Sequence, residues 1–257
     1  MMEQYINKIF NEDCLEFAKR LPEKCIDCII TDPPYNENYN YRNSNFKDKR
    51  EDYYQFLENI FIEFKRILKT NGSIYLKHSS RQIDKMLPLL NKFFIYRNII
   101  IWISNSQSHP KENYDSYYEP IYFYTNSDIY IFNKRAFLRD RPPNYWSGEG
   151  KEFIGLPTNC FYDVPKIVGG CGPNSECGRI GNEKVHPCAM PKKLAERFIV
   201  VSSNKNDIIF DPFMGSGTTA IACLETGRRY IGCELDKGYF DIAQKRIDDY
   251  NKQLKLF

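Results

Sequence analysis

The sequence predicts an α/β domain built on a mostly parallel sheet with an antiparallel strand, and three observations carry that expectation. Short apolar runs at 26–30, 207–210 and 230–233 are bounded by turn residues, as buried parallel strands are. Hydrophobic residues at helical spacing lie between them. Each run leads into residues able to do chemistry: Thr31-Asp32-Pro33-Pro34-Tyr35, then Asp211-Pro212-Phe213-Met214-Gly215-Ser216-Gly217, then Glu234. Ligands in open α/β sheets bind outside the carboxyl ends of the strands, so these ends are expected to form one site.

The remaining elements follow from periodicity. Leu57, Ile60, Phe61, Phe64 and Leu68 recur at helical spacing, and Asn71-Gly72 is expected to stop that helix. Residues 73–77 then read as a strand. Residues 97–103 and 120–125 read as two more, and their short connection makes an antiparallel pair. Residues 194–201 predict a helix before the strand at 207. Residues 218–225 predict another after the glycines, ending at Gly227, and 239–250 a polar-faced terminal helix. Two stretches break the pattern. Residues 36–52 are polar and hold Arg42, Lys47, Lys49 and Arg50; residues 133–184 are irregular and rich in Gly and Pro. A stretch as long as the second is usually functional or mobile. The expected organisation is therefore a domain formed by 1–132 and 185–257, interrupted by an insertion at 133–184.

Composition narrows the class. A chain of 257 residues, 42% hydrophobic, can bury one large core. Aromatics reach 15%, enough for some to stack on bases. A net charge of +3 is too mild to establish nucleic-acid binding by itself. Nine cysteines, an odd number, with no apolar signal in residues 1–10, read as reduced thiols of a cytoplasmic protein. No apolar run approaches the roughly 20 residues that span a bilayer, so no membrane role is expected.

The glycine turn at 211–217 leads from a strand into a helix. Its glycines reach backbone conformations closed to other residues, and the helix start offers unpaired N–H groups to an anion. Its spacing is neither that of a dinucleotide fingerprint nor that of a P-loop. Glu234, ending the next strand, is placed to take ribose hydroxyls. The alternative is an ordinary tight turn with a capping acid. At the first strand end, Asp32 and the Pro33 carbonyl can accept hydrogen bonds from an exocyclic amino group. That draws its nitrogen towards sp³ character. Two prolines fix the backbone, and Tyr35 offers a flat face for an extruded base. Such catalysis is mainly positioning and electrostatics. The alternative is a rigid turn after a strand.

Asp32-Pro33-Pro34-Tyr35 followed downstream by Phe213-Met214-Gly215-Ser216-Gly217 resembles the permuted β-class of DNA amino-methyltransferases. Asn11-Glu12-Asp13-Cys14-Leu15 is similar to that class's N-terminal cofactor segment, and Lys184-Val185-His186-Pro187-Cys188-Ala189-Met190-Pro191 to its His-Pro segment. The resemblance implies a Rossmann-like S-adenosylmethionine-dependent methyltransferase fold, with residues 133–184 as a small target-recognition insertion. It implies a site-specific enzyme acting on adenine N6 of a flipped base, with cytosine N4 as the alternative. Asp at position 32 favours adenine, whereas adenine-specific members commonly show Gln-Lys where this chain has Ala189-Met190. Catalysis falls to Asp32, Pro33, Pro34 and Tyr35. The cofactor falls to Asp13, Cys14, Asp211, Phe213, Gly215, Ser216, Gly217, Thr218, Glu234 and His186. Double-stranded DNA is the expected substrate; a homodimer and a companion restriction endonuclease are partners the resemblance allows.

Arg42, Lys47, Lys49 and Arg50, close behind Tyr35, are expected to contact DNA from a mobile lid. Arg139 and Arg141, beside Tyr145 and Trp146, are expected to do so from the insertion. Cys160, Cys171, Cys177, His186 and Cys188 could suggest zinc, but their spacing is wider than that of zinc knuckles, and no metal is expected. A protein-glutamine or RNA methyltransferase would usually have Asn at position 32 and the strip after the glycine turn. A non-catalytic binding module would have no use for the strip.

Overall fold

The computed structural model describes residues 2–38, 48–108, 116–133, 160–162, 179–180, 183–184 and 190–254. In chain order they form β1 (Lys8–Phe10), α1 (Cys14–Arg20), β2 (Ile26–Thr31), α2 (Tyr53–Ile67), β3 (Leu68–Lys77), α3 (Ile83–Asn91), β4 (Ile95–Ser108) and β5 (Ser116–Thr125). There follow β6 (Cys160–Tyr162), β7 (Arg179–Ile180), β8 (Glu183–Lys184), α4 (Lys192–Ser202), β9 (Ile208–Asp211), α5 (Thr218–Glu225), β10 (Arg229–Cys233) and α6 (Lys237–Leu254). Eight strands form one sheet in the order β1-β10-β9-β2-β3-β5-β4-β6. β1, β10, β9, β2 and β3 are parallel; β5 runs antiparallel to both β3 and β4. This is the α/β class the sequence predicts.

Strand alternation splits the core in two. Ile29, Ile74, Phe210 and Ile231 pack with Phe17, Phe61, Phe64 and Leu90 from α1, α2 and α3. Their neighbours Cys28, Ile30, Tyr75, Ile209 and Tyr230 pack with Phe198, Ile199, Ala220, Cys223, Ala243 and Ile247 from α4, α5 and α6. Both faces of β2 are buried, which is why it reads as a continuous apolar run. From β2 the chain builds to β3 on one side; from β9 it builds to β10 on the other. The crevice expected at such a reversal opens at the ends of β2 and β9.

Three readings change. The helix expected to run through Leu68 to Asn71-Gly72 ends at Ile67, and Leu68 pairs with Ile26 instead. Lys24 and Cys25 donate to the carbonyls of Arg66 and Ile67, so strand pairing captures the chain before the glycine can stop it. α3 is a helix the sequence reading does not include, and Pro88 sits inside it. A mid-helix proline costs about 3 kcal/mol, here offset by burial of Met86, Leu89 and Leu90. Finally, β6 lies within 133–184 yet pairs with β4, so part of the expected insertion extends the main sheet. Among the described residues no helix is long and apolar enough to cross a membrane.

Candidate active site

The sheet brings Asp32, at the end of β2, beside Lys77, the last residue of β3. Register between β3 and β5 pairs Lys77 with Ile121 and so carries Glu119 to the same end. Lys77 is 2% exposed and donates to Asp32 Oδ2 at 3.0 Å and to Tyr35 Oη at 2.5 Å; it also contacts Glu119 Oε2. The Tyr35 hydroxyl lies 2.8 Å from Asp32 Oδ1 and 2.9 Å from Glu119 Oε2. Burial pushes the Asp32 carboxyl above its ordinary range, and Lys77 pulls against that rise. Burial alone would lower the Lys77 pKa, but Asp32 and Glu119 more than offset it and keep the ammonium. Burial and the two carboxylates hold Tyr35 protonated.

The backbone of the strip is clamped from β3 and α2. Tyr53 Oη donates to the Pro34 carbonyl at 2.5 Å and lies 2.7 Å from His78 Nε2. With its proton committed to Pro34, the hydroxyl must accept from His78, so the imidazole carries its hydrogen on Nε2. Burial and Lys77 push His78 down to about 3, which keeps it neutral. Gln82 donates to the Tyr35 carbonyl. Among the described residues nothing donates to the Pro33 carbonyl, whereas the next two carbonyls along the chain, of Pro34 and Tyr35, are both occupied.

The strip shares a cavity with the ends of β1, β9 and β10. Its wall includes Asp13, Cys14, Asp32, Pro33, Pro34, Tyr35, Phe213, Gly215 and Glu234. Seven acidic side chains and one basic, Arg50, line it among the described residues, so it suits a cationic ligand. Glu234 accepts from Gly215 N and Asp236 N, both at 2.8 Å, tying the glycine turn to the end of β10. Asp211 lies beneath the turn, accepting from Phe213 N at 3.0 Å and Thr219 Oγ1 at 2.6 Å. Burial pushes it up to about 7. Arg246 of α6 donates to the Ser216 carbonyl and hydroxyl, and Ser216 is itself buried. Asp13 caps α1, accepting from Leu15 N and Glu16 N. Thus Asp13, Cys14, Phe213, Gly215 and Glu234 reach the wall, while Asp211 and Ser216 hold the turn's shape from behind.

Gly217, the N-cap before α5, has φ +84°, and a Cβ there would stand 3.1 Å from Ala243 Cβ. Gly217→Ala is expected to cost about 1–3 kcal/mol and to weaken ligand binding at the turn. Urea denaturation checks the first and calorimetry the second; a variant as stable as the parent would show that the turn needs no glycine there.

Of the cations expected to meet DNA, Lys49 is exposed. Arg50 instead lies on the cavity wall, ion-paired with Asp52 at 3.0 Å and with its guanidinium 4.1 Å from the Phe56 ring centroid. Arg42, Lys47, Arg139, Arg141 and His186 lie outside the described residues. Sequence reasoning missed Lys77, Glu119, Tyr53 and His78. The available signal was Lys77, a charged residue closing an apolar strand just as Asp32 and Glu234 do. Among the described residues no three His, Cys, Asp or Glu side chains gather in a way that could hold a metal ion.

Residues 26–245 match the family model described as DNA methylase, of N6 and N4 type. The chain is 30% identical over 245 residues to the DNA adenine methyltransferase YhdJ of Escherichia coli (strain K12), covering 93% of this chain and 82% of that one. It is 28% identical over 258 residues to the type II methyltransferase M.BglII of Bacillus subtilis, covering 94% and 69%. Among solved structures, PvuII DNA methyltransferase (cytosine-N4-specific) superposes with a TM-score of 0.69 at 18% identity, covering 96% of this chain and 92% of that one. The M1.HpyAVI–SAM complex superposes with a TM-score of 0.60 at 24% identity, covering 93% and 98%. These two likenesses bear on the fold.

Proposed function

The chain belongs to the N6/N4 DNA methylase family, and from that membership we propose that it methylates the N6 amino group of adenine in DNA, with S-adenosylmethionine as donor. The observation that carries this reading is the pair of acceptors at the end of β2. Asp32 is an anchored carboxylate, and the neighbouring Pro33 carbonyl has no donor of its own among the described residues. An amino group offers two hydrogens, and two fixed acceptors take both. Asp32 also matches the adenine activity named for YhdJ. The test is to incubate DNA with protein and cofactor, digest it to nucleosides and identify the product. N6-methyladenosine supports the proposal; N4-methylcytosine, the activity named for the PvuII enzyme, replaces it.

Bound in the acidic cavity, the cofactor supplies an electrophilic methyl group on a sulfonium. Phe213, Gly215 and Glu234 would hold its nucleoside, and Asp13 and Cys14 would lie near its adenine. Gly217 and Thr218 would offer it the start of α5. Arg50, on the same wall, suits its carboxylate better than a DNA phosphate. Tyr35 and the clamped prolines position the target base, and Lys77 fixes the direction of the Asp32 carboxylate.

Asp211 gives the cavity a pH dependence. Its carboxyl is raised to about 7, chiefly by burial, so it gains a proton as pH falls through neutrality. The cofactor carries a net positive charge, which the ionised form favours. Affinity is therefore expected to rise between pH 6 and 8, by about three- to tenfold. Calorimetric titrations across that range check it; a flat profile would remove Asp211 from the electrostatics of binding.

Lys49 and residues 36–50 are proposed to close over bound DNA, with Arg42 and Lys47 among the contacts and Arg139 and Arg141 reaching it from the insertion. Protection of 36–50 from proteolysis by DNA is the expected result. The type II relatives suggest a companion restriction endonuclease, and a cytoplasmic homodimer fits the same setting.

A further inference from the structure

Accepting two amine hydrogens requires only Asp32 and Pro33, yet Asp32 sits in a ring with Tyr35, Lys77 and Glu119. Methyl transfer to an amino group also releases a proton, which must leave while the base still covers Asp32. We propose that Glu119 receives that proton, relayed from Asp32 by the Tyr35 hydroxyl. The proposal rests on the reading above in one respect, that Asp32 accepts from the target amine.

The hydrogen-bonding capacity of Tyr35 fits this role. A phenol oxygen accepts two hydrogen bonds and donates one. Lys77 Nζ fills one acceptor position at 2.5 Å. Asp32 Oδ1, at 2.8 Å, can fill the second once it carries a proton, and Glu119 Oε2, at 2.9 Å, can take the donor. The target nitrogen's lone pair forms the N–C bond while the C–S pair stays on sulfur. The N–H proton passes to Asp32. Asp32 hands it to the Tyr35 oxygen as Tyr35 gives its own hydroxyl proton to Glu119, and Tyr35 ends neutral as it began. Glu119, 23% exposed, then releases the proton to water.

Charge favours the same direction. Two carboxylates and one ammonium leave the ring with one negative charge before transfer, and the relayed proton cancels it. Lys77 cannot supply a competing proton, because both carboxylates hold it as an ammonium. Among the described residues, the other titratable groups that act on the ring include Asp211 on β9, whose charge and that of Asp32 repel each other, and His78. The His78 ring lies 4.9 Å from that of Tyr35 and is neutral.

Single-turnover DNA methylation by wild type, Glu119→Gln and Tyr35→Phe tests the relay, at several pH values and with added imidazole. Both variants are expected to bind S-adenosylmethionine as wild type does and to lose about 10²-fold in rate. The Glu119→Gln rate should rise with imidazole concentration while the wild-type rate does not. A Glu119→Gln rate within about threefold of wild type overturns the relay. So does a slow variant with the wild-type pH profile and no response to imidazole, since that marks a packing role. If Glu119→Gln fails to fold, Tyr35→Phe, which removes only the hydroxyl, decides on rate and pH profile alone. A wild type inert on DNA overturns the functional reading, and the relay falls with it; an active wild type beside an equally active Glu119→Gln overturns the relay only.

Discussion

Asp32→Ala is expected to lower DNA methyl transfer by about 10²–10⁴-fold while the protein stays folded and still binds cofactor. The separation follows from who is left behind. Without Asp32, Lys77 keeps Glu119 as its counter-ion, so no buried charge is abandoned. The glycine turn keeps its tie to Glu234, and the strip keeps its clamp from Tyr53. What disappears is one of two acceptors at the target amine, and with it the anchored charge that draws the nitrogen towards tetrahedral geometry. Asp32→Asn should be intermediate. Its carbonyl oxygen can accept from Lys77, which turns the amide N–H₂ towards Tyr35, and the phenol oxygen can accept from it by donating to Glu119 instead. Nucleoside analysis of treated DNA reads the rate and calorimetry the cofactor. Activity within tenfold of wild type in the alanine variant would mean that the amine is activated by some other group.

Much of this site was legible before any geometry. Asp32, Asp211 and Glu234 each stood where a short apolar run gave way to turn residues, and parallel strands put those ends together. The glycine turn and the start of α5 at Thr218 were readable because φ > 0 restricts the residue choice there. The partners of Asp32 were harder to see. Lys77 after Ile74, Tyr75 and Leu76 looks like any solvated lysine at a strand end, and Glu119 before Pro120 looks like a loop acid. Their meeting depends on the antiparallel register of β3 and β5, which local sequence does not contain. Asp13 has a mixed character for a related reason. The resemblance makes it a cofactor residue, whereas its hydrogen bonds from Leu15 N and Glu16 N make it the cap of α1, at a place where the same residue also meets the cavity. Arg50 shows what proximity in sequence leaves out: its nearness to Tyr35 suggested DNA, while its pairing with Asp52 and Phe56 on the cavity wall depends on the start of α2.

Lys77→Met should behave in the opposite way to Asp32→Ala, failing first in stability. The methionine fills a similar volume between Tyr35 and Trp102, whose rings each lie 5.2 Å from the ammonium. It leaves Asp32 and Glu119 facing each other without a cation, and removing one partner of a buried ion pair costs about 3–5 kcal/mol. The sign of the pH dependence separates this from a packing defect. In wild type the Lys77 pKa is raised above its ordinary value of 10.5, so its pairing stabilises the fold throughout the neutral range and is lost only as pH rises above that. In the variant, burial and the facing Glu119 carboxylate hold the Asp32 carboxyl above its unfolded value of about 4 with no cation to oppose them. The folded state then binds more protons than the unfolded one, so stability falls as pH rises through the folded pKa and returns as pH drops. Urea unfolding should therefore show a deficit at pH 8 that shrinks towards pH 5. A deficit equal at both values would indicate lost packing alone, and would mean that the ammonium contributes little to holding Asp32 ionised and aimed at its substrate.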